Sequence, residues 1–138
     1  MKIAIIGCGW VGSNIGIGFR SIGYDVIFYD IVHKNLPNFT DNINFAIENS
    51  DISFICVPTP TKRNGIDLSC IKDASRKIGT ALKYKSDYYL VSVKSTILPG
   101  TTERVIIPIL EKHSRKKVGA NFGAVSYTHL TLPTNREV

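Results

Sequence analysis

The sequence predicts an α/β domain of the doubly wound type, in which helices cover both faces of a parallel sheet. Short, nearly continuous apolar runs alternate with segments whose apolar residues recur at helical spacing. Glycine, proline or short polar stretches separate most of these segments. The chain has 138 residues, of which 43% are hydrophobic, so it is long enough to bury one core.

Four apolar runs predict strands, and four other segments predict helices. The strands are expected at 2–6, 25–30, 51–57 and 88–94, and the helices at 11–22, 42–48, 67–82 and 101–113. A further, very short strand is expected near Phe39, within an otherwise irregular segment from 31 to 41. Since parallel strands need long crossover connections, this alternation predicts a parallel sheet.

Particular residues set the expected ends and buried faces of the helices. Gly23 should end the first helix, and Pro108 should bend or interrupt the last. Asp41 and Asp67 should begin the second and third. The expected inward-facing residues are Val11, Ile15, Phe19 and Ile22 in the first helix, Ile71, Ala74, Ile78 and Leu82 in the third, and Val105, Ile106, Ile109 and Leu110 in the last.

The charge and hydropathy limit the classes of partner. The net charge is +6, and the one basic group, Lys112 with Arg115, Lys116 and Lys117, follows a predicted helix. We expect a solvated helix end there, with general attraction of an anionic nucleotide as the weaker alternative. Without a recognition helix or aromatic platform, no nucleic acid partner is expected. Without a bilayer-length apolar run or a signal-peptide pattern, we expect no membrane partner and a cytoplasmic location.

The three cysteines predict neither a metal site nor a disulfide framework. Cys8, Cys56 and Cys70 are widely spaced, and no pair or Cys/His cluster has zinc-ligand spacing. We expect small buried thiols in a reducing compartment.

A glycine-rich turn between the first strand and the first helix predicts a dinucleotide site. Gly7, Gly9 and Gly12 form the pattern GxGxxG, and Asp30 ends the next strand. The first glycine permits a tight turn, the second lets the backbone approach a pyrophosphate, and the third lets helix and strand pack closely. Asp30 is expected to accept hydrogen bonds from ribose hydroxyls and to repel a 2′-phosphate, which favours NAD over NADP. The nearby His33 and Lys34 make this preference less than absolute.

Two further segments follow strands at the edge where such sheets bind ligands. They are VPTPT (57–61) and KSTILPGTT (94–102). Their hydroxyl residues Thr59, Thr61, Ser95 and Thr96 are candidates to bind a nicotinamide ribose, a phosphate or an ordered water. Turn and helix-cap chemistry is an equal alternative, with Thr101 or Thr102 capping the last helix.

Taken in order, these motifs resemble the N-terminal domain of the UDP-glucose/GDP-mannose dehydrogenases. The resemblance rests on GCGWVG (7–12), Asp30, FICVPTPT (54–61), GIDLS (65–69) and VKSTILPGTT (93–102). It covers roughly residues 1–123 and implies a Rossmann-type NAD-binding domain. The family reaction it implies is the two-step oxidation of a sugar nucleotide's C6 alcohol to a carboxylate with NAD, through a cysteine nucleophile in the C-terminal half.

The resemblance also implies roles for individual residues. It maps Gly7, Gly9, Trp10, Val11, Gly12 and Asp30 onto the dinucleotide site. It maps Lys34 onto a weaker ribose contact, and Thr59 and Thr61 onto a cofactor-side loop. Thr96 corresponds to the family's threonine that orders a water near the reaction centre, and Ser95 precedes it.

The sequence departs from the family in two places. The stretch from Asp30 to Asp51 is short where larger relatives have a helix and a loop, which predicts looser closure around the cofactor. After about Gly123 the family continues with an NPEF-type segment, a central helix and the sugar-nucleotide domain, and none of the three cysteines maps onto the nucleophile.

Residues 124–138 are therefore predicted to be a non-native segment that follows an NAD-binding domain of residues 1–123. Within them, VSYTHLTLPTNREV is similar to the translated end of a transposon-type sequencing adaptor, and His129 is given no role. A natural tail is the alternative.

The resulting hypothesis is the cofactor domain of a nucleotide-sugar 6-dehydrogenase, with UDP-glucose as the leading substrate. Such a chain is expected to bind NAD, to lack activity alone, and to dimerise only at full length. The alternatives are a UDP-N-acetylmannosamine or GDP-mannose dehydrogenase, and a stand-alone dinucleotide-binding module with a sensing role. The VPTPT and KSTILPGTT pair argues against a 3-hydroxy acid dehydrogenase on a similar fold.

Overall fold

The computed structural model describes residues 1–126. Residues 127–138, which include His129 and most of the predicted non-native segment, lie outside the described part of the chain. Eight strands are described: β1 (Lys2–Ile6), β2 (Asp25–Tyr29), β3 (Phe39–Thr40), β4 (Ile52–Ile55), β5 (Thr61–Lys62), β6 (Gly65–Ile66), β7 (Tyr89–Val93) and β8 (Phe122–Ser126). The helices are α1 (Trp10–Ser21), α2 (Ile43–Glu48), α3 (Ser69–Leu82) and α4 (Ile107–Ser114), the last preceded by a π-helical turn, Thr102–Ile106.

The central sheet has six strands in the order β3-β2-β1-β4-β7-β8, and every pair is parallel. From β1 the chain winds outward to β3, returns through α2 to β4, and then winds outward in the other direction. The direction of winding therefore reverses between β1 and β4. This order confirms the predicted doubly wound, Rossmann-type sheet.

Helices lie on both faces of the sheet, as predicted. Alternate residues of β1 divide the interior into two cores. Ala4 and Ile6 join the larger core, which α2, α3 and α4 cover, and Ile3 and Ile5 join the smaller core under α1. The predicted face of α3, which is Ile71, Ala74, Ile78 and Leu82, is buried in full. In the last helix Ile106 and Leu110 are buried, while Val105 and Ile109 are half-buried.

The buried face of α1 differs from the prediction because glycine, not aliphatic residues, forms its centre. Val11 and Ile22 are 52% and 71% exposed, so their expected inward placement was wrong. The fully buried positions of α1 are Gly12 and Gly16. A Cβ at Gly16 would lie 2.2 Å from Cε1 of Phe28, so this helix packs directly against the sheet's side chains. The apolar spacing correctly predicted a helix, but two of its large aliphatic residues, Val11 and Ile22, lie outside the buried face.

The predicted caps of the second and last helices were wrong. No side chain caps the turn that begins the last helix at Thr101, and Thr102 Oγ1 has no hydrogen-bond partner within residues 1–126. Asn42, not Asp41, caps α2, and its Oδ1 accepts a hydrogen bond from the Phe45 amide at 3.2 Å. Asp67 lies just before α3, whose N-cap residue is Leu68, and its Oδ1 accepts from the Ser69 amide at 2.9 Å. Gly23 follows α1 with φ of +102°, a value that favours glycine.

Pro108 is accommodated without a break in the last helix. It has no amide hydrogen, and its ring would clash with a carbonyl four residues earlier in regular α geometry. The preceding turn, Thr102–Ile106, widens instead, so that the Ile107 amide donates to the Thr102 carbonyl. The predicted interruption is thus a wide turn just before the proline.

Two lysine side chains donate hydrogen bonds to backbone carbonyls near helix ends. Lys85 Nζ donates to the carbonyl of Glu48 at the end of α2, at 3.0 Å. Lys116, which follows α4, donates to the carbonyl of Lys85. Lys112, Arg115 and Lys117 are exposed, as expected for a solvated helix end, whereas Lys116 is half-buried.

The two predicted departures can be located in the fold. An irregular segment, rather than a helix, joins β2 to β3, and Asn38 within it has φ of +53°. The predicted domain boundary at residue 123 falls inside β8, which continues to Ser126. No helix within residues 1–126 has the length and hydrophobicity to cross a membrane.

We expect Gly16→Ala to lower the free energy of unfolding by about 1–3 kcal/mol, because its methyl group would overlap the Phe28 ring. Gly18→Ala is the matched control in the same helix, since a Cβ there meets nothing within 4 Å. That control should raise the free energy by about 0.5–1 kcal/mol through helix propensity. Urea denaturation of both variants measures the difference, and equal stabilities would contradict the packing described for α1.

Candidate functional site

A cleft of ≈ 610 Å³ opens at the carboxyl ends of β1, β2, β4 and β7. It lies over the point where the winding direction reverses, between β1 and β4. In open α/β sheets this position is the usual ligand crevice, because the loops that leave the neighbouring strands diverge there. Of the residues predicted for the site, those that line the cleft are Gly7, Gly9, Trp10, Val11, Asp30, Lys34, Thr59, Ser95 and Thr96.

The glycine turn is shaped by very close backbone contacts. Gly7 has φ of +99°, and a Cβ there would lie 2.8 Å from the Val57 amide nitrogen. A Cβ at Gly12 would lie 1.9 Å from the Gly7 carbonyl oxygen. Gly12 therefore does not line the cleft; its absent side chain lets α1 begin against the turn. These two glycines are required by the fold itself.

Gly9 has a different environment from the other two glycines. Its φ of −76° suits any residue, and a Cβ there would meet nothing within 4 Å. The protein alone gives no reason for glycine at this position. The open space in front of Gly9 belongs to the cleft. A ligand could therefore approach the backbone here through the space that a side chain would otherwise fill.

The N-terminus of α1 offers unsatisfied amide groups to the cleft. Gly9 is the N-cap residue, and no side chain caps this helix. The first amides of a helix have no partner within it, and they carry the positive end of the helix dipole. Trp10 and Val11, at this end, line the cleft, and Trp10 is 84% exposed. This end of α1 is suited to an anionic group such as a phosphate.

Asp30 is fixed by two backbone hydrogen bonds at the end of β2. Its Oδ2 accepts from the Cys8 amide at 2.8 Å, and its Oδ1 accepts from the Val32 amide at 3.1 Å. The first bond ties the carboxylate to the glycine turn, and the second closes a short turn after β2. Each carboxylate oxygen keeps a further lone pair that can accept a hydrogen bond. Lys34 lines the same end of the cleft.

On the other side of the cleft, the segments that follow β4 and β7 are joined by their own hydroxyl groups. Thr59 Oγ1 donates to the Thr96 carbonyl at 2.7 Å, and Ser95 Oγ donates to the Val57 carbonyl at 2.6 Å. Thr96 is exposed and lines the cleft. Thr61, by contrast, lies in the hairpin strand β5 outside the cleft.

The cysteine thiols of the cleft region are poorly suited to nucleophilic chemistry. Burial raises the pKa of Cys8 to about 12, and the neighbouring Asp30 carboxylate adds to the shift. The Cys8 thiol also donates to the Tyr29 carbonyl at 3.2 Å. Burial likewise raises the pKa of Cys56 to about 12. Both thiols are thus protonated at neutral pH, and a thiolate is the reactive form. Cys70 is exposed.

The structure adds cleft residues that the sequence reasoning did not identify. They come from the end of β2 and the first turns of α3: Tyr29, Cys70, Asp73, Ala74 and Lys77. Asp73 and Lys77 form an ion pair at 3.1 Å, and this hydrogen bond raises the pKa of Lys77. For the residues of α3, the available signal was that this helix begins at the carboxyl edge of the sheet. Within residues 1–126, no three His, Cys, Asp or Glu side chains are grouped to hold a metal ion.

The arrangement fits a dinucleotide. The uncapped helix end and the open space at Gly9 suit a pyrophosphate, and the fixed Asp30 carboxylate suits ribose hydroxyls. Apolar groups such as Ile31, Val32 and Val57 line the same cleft and suit an adenine ring.

Comparison with known proteins agrees with this geometry. Residues 31–134 match the model of the UDP-glucose/GDP-mannose dehydrogenase family, NAD binding domain. GDP-mannose 6-dehydrogenase from Pseudomonas aeruginosa is 34% identical over 151 residues, which cover 89% of this chain and 35% of that protein. UDP-glucose 6-dehydrogenase from Haloferax volcanii is 33% identical over 145 residues, which cover 86% of this chain and 34% of that protein.

A solved structure shows the same fold. The crystal structure of a ternary complex of GDP-mannose dehydrogenase from Pseudomonas aeruginosa superposes with a TM-score of 0.85 at 35% identity. The match covers 90% of this chain and 35% of that chain. The chain thus spans about a third of the length of the relatives it matches. With this fold, this cleft and these relatives, the chain belongs to the UDP-glucose/GDP-mannose dehydrogenase family and contains its NAD-binding domain.

Proposed function

We propose that this chain is the cofactor-binding part of an enzyme that oxidises the C6 alcohol of a nucleotide sugar to a carboxylate. The observation that carries the cofactor-binding part of the proposal is the open space in front of Gly9, because the fold itself does not require a glycine there. The nucleotide-sugar substrate is supported by the relatives. When bound, NAD supplies the hydride acceptor for each oxidation step. The chain's own residues bind the cofactor and orient it.

The proposed contacts follow the two halves of the cleft. The amides at the start of α1 donate to the pyrophosphate, and Asp30 accepts hydrogen bonds from the adenosine ribose. Lys34 and Trp10 lie beside this half, and Gly7 and Gly12 shape the turn that holds it. On the other side, we assign Thr59, Ser95 and Thr96 to the nicotinamide half, with Thr96 ordering a water near the reaction centre. Thr61 is a weaker candidate for contact with the cofactor, since it lies in β5 outside the cleft.

We propose the substrate first as a chemical class, a nucleotide sugar, and then compare individual sugars. A nucleotide sugar is supported by the relatives, whose names include GDP-mannose 6-dehydrogenase, UDP-glucose 6-dehydrogenase and UDP-N-acetyl-D-mannosamine dehydrogenase. The sequence motifs favour UDP-glucose, whereas the similarity of the NAD-binding domain to known proteins favours GDP-mannose. The cleft described here holds the cofactor side of the reaction and does not separate these sugars.

We also propose the enzyme's cellular location and its oligomeric state. The free thiols of Cys8, Cys56 and Cys70 suit a reducing compartment, which supports a cytoplasmic location. Dimerisation of a full-length enzyme follows only from the family resemblance.

We expect Gly9→Ala to leave stability almost unchanged and to weaken NAD binding by about 10-fold or more. The added methyl group meets no protein atom, but it would occupy the space in which the pyrophosphate approaches the backbone. Trp10, the chain's single tryptophan, lies beside this position, so its fluorescence can follow a titration with NADH. Gly18→Ala is the control. Unchanged affinity in Gly9→Ala would contradict the proposed pyrophosphate position.

We expect Asp30→Asn to weaken NAD binding by about 10-fold and to reduce the preference for NAD over NADP. The amide removes the charge that strengthens hydrogen bonds from the ribose and repels a 2′-phosphate. Titrations with both cofactors measure the ratio of affinities. Asp25→Asn, at the exposed opposite end of β2, is the matched control and should change neither affinity. A preserved preference in Asp30→Asn would remove Asp30 from the ribose site.

We expect the 138-residue chain to bind NAD but to form no NADH with UDP-glucose or GDP-mannose. The chain spans about a third of the length of its relatives, and the family resemblance places the nucleophilic cysteine and the sugar-nucleotide domain in the C-terminal part, onto which none of Cys8, Cys56 and Cys70 maps. The pKa values of Cys8 and Cys56 are also raised to about 12. Both thiols therefore stay protonated from pH 7 to about pH 10. NADH absorbance across that pH range measures the outcome. Sustained NADH formation would show that the chain carries the whole reaction.

A further inference from the structure

The pairing of β4 with β7 ends at Ile55 and Val93, just before the cleft. Beyond it, the amides of Lys94 and Ser95 both donate to the Ile55 carbonyl, at 2.8 and 3.1 Å. Pro58 and Pro60 have no amide hydrogen, so the segment after β4 has few backbone donors with which to continue the pairing. Another type of donor is needed to hold the two segments together over the cleft.

Two side-chain hydroxyls supply this connection, and they do so reciprocally. Thr59 donates from the first segment to the Thr96 carbonyl of the second, and Ser95 donates from the second segment to the Val57 carbonyl of the first. The distances are 2.7 and 2.6 Å, and the bonds connect residues that are 37 and 38 positions apart in the chain. They therefore join two separate segments, unlike the local hydroxyl bonds of turns and caps.

These bonds limit what each hydroxyl can offer a ligand. A hydroxyl has one proton to donate, and both Thr59 and Ser95 direct it to a backbone carbonyl. Ser95 is also only 8% exposed. The Thr96 hydroxyl has no hydrogen-bond partner within residues 1–126, and its residue lines the cleft. Of the three, Thr96 alone can both donate to and accept from a bound group.

We propose that Thr59 and Ser95 are positioning residues, whose two hydroxyl bonds brace the segments after β4 and β7 and thereby fix Thr96 at the nicotinamide half of the cleft. This inference rests on the proposed NAD site. In that site the glycine turn binds the pyrophosphate and Asp30 binds the adenosine ribose. The braced segments lie on the other side of the point of winding reversal, so they face the nicotinamide half of the dinucleotide.

The brace itself is tested without any ligand. Thr59→Val and Ser95→Ala should each raise the hydrogen-exchange rates of the Lys94 and Ser95 amides by about 3–10-fold, since the segments lose one of the bonds that hold them closed. Thr59→Ser keeps the hydroxyl and should exchange like the original chain. Unchanged exchange in both variants would overturn the proposal.

The positioning role is tested with two ligands that share only one half of the cleft. NADH fills both halves, whereas AMP reaches only the adenosine half. Thr59→Val and Ser95→Ala should weaken NADH binding by about 3–10-fold and change AMP binding by less than about 2-fold. Thr59→Ser should restore NADH binding. Equal effects on both ligands, or no effect on NADH, would overturn the positioning role.

Two control variants lose the same type of bond away from the cleft. Thr80→Val removes a hydroxyl bond to the Arg76 carbonyl, and Ser75→Ala removes a buried one to the Ile71 carbonyl. Neither residue lines the cleft, so NADH and AMP affinities should stay unchanged, and weaker NADH binding in both would count against the brace. If the original chain binds no NADH, the proposed function fails together with the positioning role, while hydrogen exchange still decides whether the brace exists.

Discussion

The arrangement of the whole domain depends on the close approach of the β1–α1 turn to the end of β4. A Cβ at Gly12 would lie 1.9 Å from the Gly7 carbonyl oxygen, and a Cβ at Gly7 would lie 2.8 Å from the Val57 amide nitrogen. Both contacts are with backbone, which cannot move aside without displacing the sheet. Only glycine at these positions allows α1 to begin so close to β1, and this places the helix N-terminus at the point of winding reversal.

The same turn organises the side of the cleft that lies over the end of β2. Because the Cys8 amide points out of the turn, it reaches the Asp30 carboxylate at 2.8 Å and draws the end of β2 towards the start of α1. The Cys8 thiol points the other way, into the smaller core, where burial keeps it protonated. One residue therefore links the backbone of the turn to the Asp30 carboxylate and packs its side chain beneath α1.

Features fixed by local chemistry could be predicted from the sequence. The strand–glycine–helix motif, Asp30 and the hydroxyl-rich segments depend on residues near one another in the chain. Of the individual residues predicted for the site, all except Gly12 and Thr61 line the cleft. The β5–β6 hairpin was missed although Asn64-Gly65 is a typical turn signal. Asp73 and Lys77 could not be found in this way, because their position follows from how α3 packs across the sheet. The exposure of Val11 and Ile22 has the same cause, since the Phe28 ring occupies the centre of the α1 face.

The short connection between β2 and β3 explains why Asp30 needs two backbone bonds. Without a helix after β2, no packed element would hold the chain just beyond the carboxylate. The Val32 amide instead donates to Asp30 Oδ1 at 3.1 Å, and this closes a tight turn that replaces the missing support. Across the cleft, the prolines after β4 remove backbone donors, and hydroxyl groups take their place. On both sides of the cleft, a side chain that bonds to backbone compensates for a missing regular element.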